Sequence, residues 1–150
     1  MKTLAHPPIN EGMMSTQINN YIVLGAKYTY DGFFEQVMKH KNIIRPEGER
    51  MHINDEYRSK AYEYVEDFID SAFEGIKHHR GLCVINDGTC ASYVVVGHVL
   101  KKTENYEHLG DPFLCSKIDK VQADLVSGAI AANFGIENAD IGIWAFAHYR

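Results

Sequence analysis

Eight histidines and three cysteines are the side chains of this 150-residue sequence with most to offer a reaction, because together they supply thiol nucleophiles and bases. The nearest pairing, Cys90 with His98, places both on one face of a single strand. Eight residues at the strand rise separate them by about 26 Å, well outside hydrogen-bonding reach. Cys83, expected opposite Ser92 on a hairpin, has no base near it in sequence. An odd cysteine count without a CxxC pair describes free core thiols in a reducing compartment rather than a disulfide framework. Metal chemistry is equally unsupported, since the helical spacings HExxH and HxxxH are missing. Glu74 and His78 stand four residues apart and read as a helix-end ion pair, and the consecutive His78 and His79 diverge on a helix. Dinucleotide, P-loop, nucleophile-elbow and two-histidine phosphoesterase motifs do not occur. The sequence therefore assigns no catalytic residue, metal or cofactor. His98, His148 and Tyr93 remain as ligand-binding candidates beside the sheet, and a small enzyme or nucleotide-binding domain built on His or Cys residues is the alternative reading.

Charge supplies the second signal. The formal net charge is −5, the wrong sign for counterion-release binding to nucleic acid. The RNA-recognition reading of the same strand plan also lacks its basic and aromatic pattern in residues 91–100. The acidity is local: residues 54–75 hold Asp55, Glu56, Glu63, Glu66, Asp67, Asp70 and Glu74 against Arg58 and Lys60, a balance of −5 that equals the whole chain's. Four of them, Glu63, Asp67, Asp70 and Glu74, fall on one stripe of an expected helix and form the candidate partner-binding face, suited to steering a basic protein.

Those side chains need elements to position them. At 45% hydrophobic residues the chain can build a core, and its length suits one domain. Residues 1–14 read as a flexible arm, with Met14 as a second candidate start beside Met1, and 15–150 as a single α+β domain. Residues 20–28 form an interior strand with apolar groups on both faces. Asp31 is expected to cap a short helix carrying Phe33, Phe34, Val37 and Met38. Apolar spacing at Tyr57, Ala61, Tyr64, Phe68, Ala72 and Ile76 predicts a second helix over 56–76, closed by the basic group Lys77-His78-His79-Arg80. Residues 82–86 and 89–100 read as a hairpin joined at Asp87-Gly88 by a two-residue type I′ turn, with Ile85 facing Cys90 and Cys83 facing Ser92. A third helix, with Ser116 and Asp119 at its start and Gly135 at its end, is expected to bury Ile118, Val121, Leu125 and Ala129. A last strand spans 139–147. Gly25, Gly97 and Gly142 lie inside strands, where glycine marks a bulge or a close approach of another backbone. The order is that of a ferredoxin-like βαββαβ sandwich with an extra helix inserted before the central hairpin. Because the central strands are apolar on both faces, a second cover is needed, either the inserted helix or another subunit of a homo-oligomer.

The run Asn20-Tyr21-Ile22-Val23-Leu24-Gly25, the block 81–88 followed by 93–100, and the ending Trp144-Ala145-Phe146-Ala147-His148-Tyr149-Arg150 resemble small accessory proteins of tailed bacteriophages. The resemblance carries no site residues. It implies a non-enzymatic binding or inhibitory role in host takeover or defence evasion, through a host protein or a nucleotide signal, in the host cytoplasm. The acidic face and the loops at 42–55 and 103–115 are the expected contact surfaces. No apolar run approaches the ~18 residues of a membrane-spanning helix, so no membrane partner is expected.

Overall fold

The computed structural model describes residues 18–46, 56–70, 75–86, 88, 92–104 and 118–149, with only the backbone of Glu104 and Tyr149. In chain order the elements are β1 (Ile18–Thr29), α1 (Tyr30–His40), α2 (Glu56–Glu66), β2 (Cys83–Asn86), β3 (Tyr93–Glu104), α3 (Lys120–Phe134) and β4 (Gly142–Tyr149). The fold is α+β: one four-stranded sheet in the order β2-β3-β1-β4, each neighbour antiparallel, with three helices. The two longest strands, apolar on both faces, are the central ones.

All three helices serve the same face. Phe33, Phe34, Val37 and Met38 of α1, Ala61 and Val65 of α2, and Val126, Ile130 and Phe134 of α3 close over Leu24, Ala26, Val94 and Val96. Burial of each Val, Leu, Ile, Phe or Met side chain among them is worth about 1.5–3 kcal/mol. The inserted helix therefore does not cross to the second face. Yet that face is buried too: Tyr21, Val23, Cys83, Ile85, Val95 and Val99 form a second core with Tyr93, Trp144 and Phe146 against it.

A row of glycines explains how one sheet closes its own second face. Gly97, Gly25 and Gly142 lie side by side across β3, β1 and β4. A Cβ placed on Gly25 would stand 2.1 Å from the Val96 carbonyl oxygen, and one on Gly97 would stand 2.2 Å from that of Leu24. Only glycine permits this approach, and the sheet folds there. Tyr93 sits opposite Thr29 and Phe146 opposite Tyr21, so a flat sheet would hold these rings about 26 Å apart along β1. Their centroids are 6.1 Å apart. His148 Nδ1 likewise lies 2.8 Å from the carbonyl oxygen of Asn86, on the opposite edge strand. The second face is thus buried within a single chain, without the inserted helix.

Local expectations change in four places. Helix α1 is capped by Thr29, whose hydroxyl accepts from the Gly32 amide, and Asp31 falls in its first turn. Helix α2 stops at Glu66 rather than Ile76, because residues 68–70 satisfy the outer edge of β2: Val84 N–H donates to Phe68 O at 2.8 Å and Ile69 bridges Val84. The pairing of β2 is Cys83 with Gly97 and Ile85 with Val95, not Ser92 and Cys90. The expected register would leave the Val94-Val95-Val96 run beyond the end of β2, whereas this one sets valine against Val84 and Ile85. Asp87 and residues 89–91 lie outside the described residues; beside them, Asn86 Oδ1 accepts from Gly88 N–H. In α3 the cap is Asp119 and the end is Gly135, in the left-handed region. The buried stripe is Val126, Ile130 and Phe134, however, and Ile118, Val121 and Leu125 are exposed. Both stripes fit a 3.6-residue period, and the one with the larger side chains is inside.

The glycine row is directly testable. Gly25→Val should destabilise the fold by about 3 kcal/mol or more, the upper end for overpacking. Gly142→Ala, whose Cβ meets Trp144 Nε1 at an ordinary 3.6 Å, should change stability by less than about 1 kcal/mol. Urea unfolding of the two variants measures the contrast, and equal losses would contradict the fold line.

Candidate ligand-binding cleft

The segment preceding β2 reverses through a two-residue turn. His79 N–H donates to Leu82 O at 2.9 Å and Leu82 N–H to His79 O at 3.0 Å, and both turn residues have positive φ, 53° at Arg80 and 80° at Gly81. This is the type I′ geometry expected at Asp87-Gly88, displaced to a pair in which arginine takes a position that favours glycine or asparagine. The basic group His78-His79-Arg80 thus forms a hairpin rather than a helix end.

The hairpin makes one wall of a cleft of about 310 Å³, lined by Arg80, Gly81, His98, Gln122, Leu125, Val126 and Ala129. Three elements contribute: the hairpin, β3 and α3. Arg80 Nη1 donates to Asn133 Oδ1 at 3.3 Å, and Asn133 is itself fixed, its amide donating to Ala129 O at 2.8 Å. The Tyr64 hydroxyl donates to the Asn133 carbonyl at 2.7 Å, tying α2 to the same corner. His98 stacks on His78, with centroids 4.1 Å apart and rings 8° from parallel. Beyond the start of β2, His78 Nε2 takes over as partner for β3, accepting from Val99 N–H at 3.0 Å. A nitrogen that accepts carries no proton, and burial, then the neighbouring His98, push the His78 pKa down. His78 is thus a neutral shelf that sets the plane of His98. Gln122 and the aliphatic groups of Leu125, Val126 and Ala129 complete a wall of one amide and three apolar side chains. Small-ligand sites have this composition, mostly apolar with a few directed polar groups.

The residues singled out from sequence are scattered. His98 is in the cleft, on the helix side. Tyr93 and His148 are on the other side of the sheet, Tyr93 beneath Lys27, whose Nζ is 4.5 Å from the ring centroid, and His148 against Asn86. The acidic stripe does not form as one face. Glu63 is exposed on α2, Asp67 is exposed beyond its end, and Glu74 lies outside the described residues, as do Cys90, Cys115 and most of the 42–55 and 103–115 loops. Asp70 is buried, its side chain 1% exposed, with Oδ2 accepting from Lys102 Nζ at 2.8 Å and from the Tyr21 hydroxyl at 2.7 Å. Burial and this carboxylate raise the Tyr21 pKa, so the phenol stays a donor. Cys83 is fully buried, its thiol 3.0 Å from Lys77 O and pushed up to about 12 by burial and then Asp70, so it is a packed thiol. Among the described residues no three His, Cys, Asp or Glu side chains gather as a metal would require, and no helix is long and apolar enough to cross a membrane.

Arg80 and Gln122 were not picked out as ligands from sequence. The signal for Arg80 was the basic group itself, read as a helix terminus. The signal for the apolar wall was the second stripe of α3, read as core. No family model matches the chain, and neither does any curated protein or solved structure.

Removing Asp70 tests whether the displaced acid is structural. Asp70→Ala would leave Lys102, 5% exposed, charged without its carboxylate, at a cost of about 3–5 kcal/mol. Denaturant unfolding should show this loss, while Asp67→Ala, on the surface, should change stability by less than about 0.5 kcal/mol.

Proposed function

We propose that this chain is a non-enzymatic binding protein that sequesters a small ligand in the Arg80–His98 cleft. The observation that carries the reading is the union, in one cavity, of a guanidinium, an imidazole and an amide with an aliphatic wall. Among the described residues Arg80 is engaged by Asn133 and forms no ion pair, so its charge is available to a ligand. Of the two modes implied by the likeness to phage accessory proteins, capture of a small signal in the host cytoplasm has this support. Docking of a basic protein on an acidic helix has less, because Asp70 is turned inward. The scaffold, in this reading, is a ferredoxin-like sandwich with one inserted helix and a sheet folded at its glycines, a frame that hosts many functions and names none by itself.

The test is equilibrium dialysis of the protein against a cell metabolite extract, followed by denaturation and mass spectrometry of what is released. The reading expects a compound retained by the wild type, recovered chemically unchanged, and lost in Leu125→Asp. Its retention by Leu125→Asp, or recovery only of converted product, would contradict it, the second outcome pointing to the enzyme alternative.

A further inference from the structure

Resting on that reading, we infer that the cleft recognises a phosphate monoester of an apolar or aromatic group, its phosphoryl end on Arg80, His98 and Gln122 and its hydrocarbon end on Leu125. The cleft's polar groups come from three separate elements, hairpin, strand and helix. A phosphoryl group offers three terminal oxygens out of one plane and suits donors approaching from several directions, and a guanidinium meets it with two parallel N–H groups. A planar carboxylate offers two oxygens and would use fewer of them. The other wall explains why inorganic phosphate alone is not the ligand. Leu125 is 63% exposed and Val121, one turn earlier, 67%, although each stands on a helix whose other stripe is wholly buried. Aliphatic surface at the mouth of a cationic cleft gains from covering by an apolar group joined to the anion.

The backbone at Arg80 points the same way. A φ of 53° places a long side chain in the left-handed region, at the first position of a turn where asparagine or glycine is at ease. Such strain is offset elsewhere and concentrates where a side chain is needed for function. Turn formation does not need arginine at this position. Delivery of a guanidinium to the cleft, braced by Asn133, does.

Amide NMR titrations with phenyl phosphate, inorganic phosphate, phenylacetate and benzyl alcohol separate the contributions. Phenyl phosphate should move the resonances of Arg80, His98, Gln122 and Leu125 and bind about tenfold or more tighter than each of the other three. Arg80→Gly should raise the melting temperature while weakening phenyl phosphate about tenfold or more. Arg80→Asn, which keeps a residue tolerant of the turn, should show the same loss of affinity. Equal binding of phenylacetate would overturn the phosphoryl assignment, and equal binding of benzyl alcohol would overturn anion recognition, both leaving the cleft as a binding site. Wild-type affinity in Arg80→Gly and Arg80→Asn would remove Arg80 from the site. If none of the four probes moves a cleft resonance, the phosphate-monoester assignment falls, while retention of a compound by the wild type and its loss in Leu125→Asp decide the binding role of the cleft separately.

Discussion

The close passage of β1 against β3 at Gly25 and Gly97 is the constraint on which the rest of this molecule depends. Side chains at those two positions would overlap the facing backbone, so the sheet folds along a line where there are none. With the fold line in place, Tyr93 reaches Phe146 and His148 reaches the far edge strand. A sheet with two apolar faces then needs helices on only one of them. The second face closes on itself and holds the Asp70, Lys102 and Tyr21 cluster. The buried ion pair there is costly to break and adds less than it appears to, since both charges lose water on folding.

Closure of that face directs attention to the helix side. Trp144 lies over the fold line, its indole N–H donating to Gly25 O at 2.9 Å, and the aromatic groups of this face are occupied with one another. Tyr21 stacks on Phe146 with centroids 5.6 Å apart. On the helix side, by contrast, α3 buries one stripe and leaves another exposed beside His98, and the hairpin at Arg80 projects a cation over the gap. The cleft follows from α3 presenting two apolar stripes to one available core.

Periodicity identified most of the elements and little of their ends. Strand β1 was legible because Tyr21 through Leu24 is an unbroken run, rich in aromatic and β-branched residues and apolar on both faces, and the buried face of α1 because Phe33 through Met38 follow the helical spacing with no competing stripe. Helix α2 was overrun because Phe68, Ala72 and Ile76 continue its spacing, and spacing along one segment does not register that an edge strand elsewhere will exchange hydrogen bonds with Phe68 and Asp70. The hairpin register was misplaced for a related reason. Asp87-Gly88 is a strong local turn signal, but the Val94-Val95-Val96 run gains more by pairing with β2 than the short turn does by forming. The type I′ turn that does form carries arginine, so composition concealed it. Of the site, His98 was legible as a polar residue inside an apolar strand. Arg80 and Gln122 were not, since convergence from a hairpin and a helix is a property of the tertiary fold alone.

One chain folds its sheet on itself at the glycine row, and the cleft at Arg80 and His98 opens on the helix side. Proton–proton NOEs of the protein, with Tyr93 and Phe146 selectively labelled, measure that most directly. Strong cross-peaks between the two rings are expected, and they should persist on dilution. Their absence, with each ring contacting only residues in its own register row, would mean a flat sheet and would contradict it.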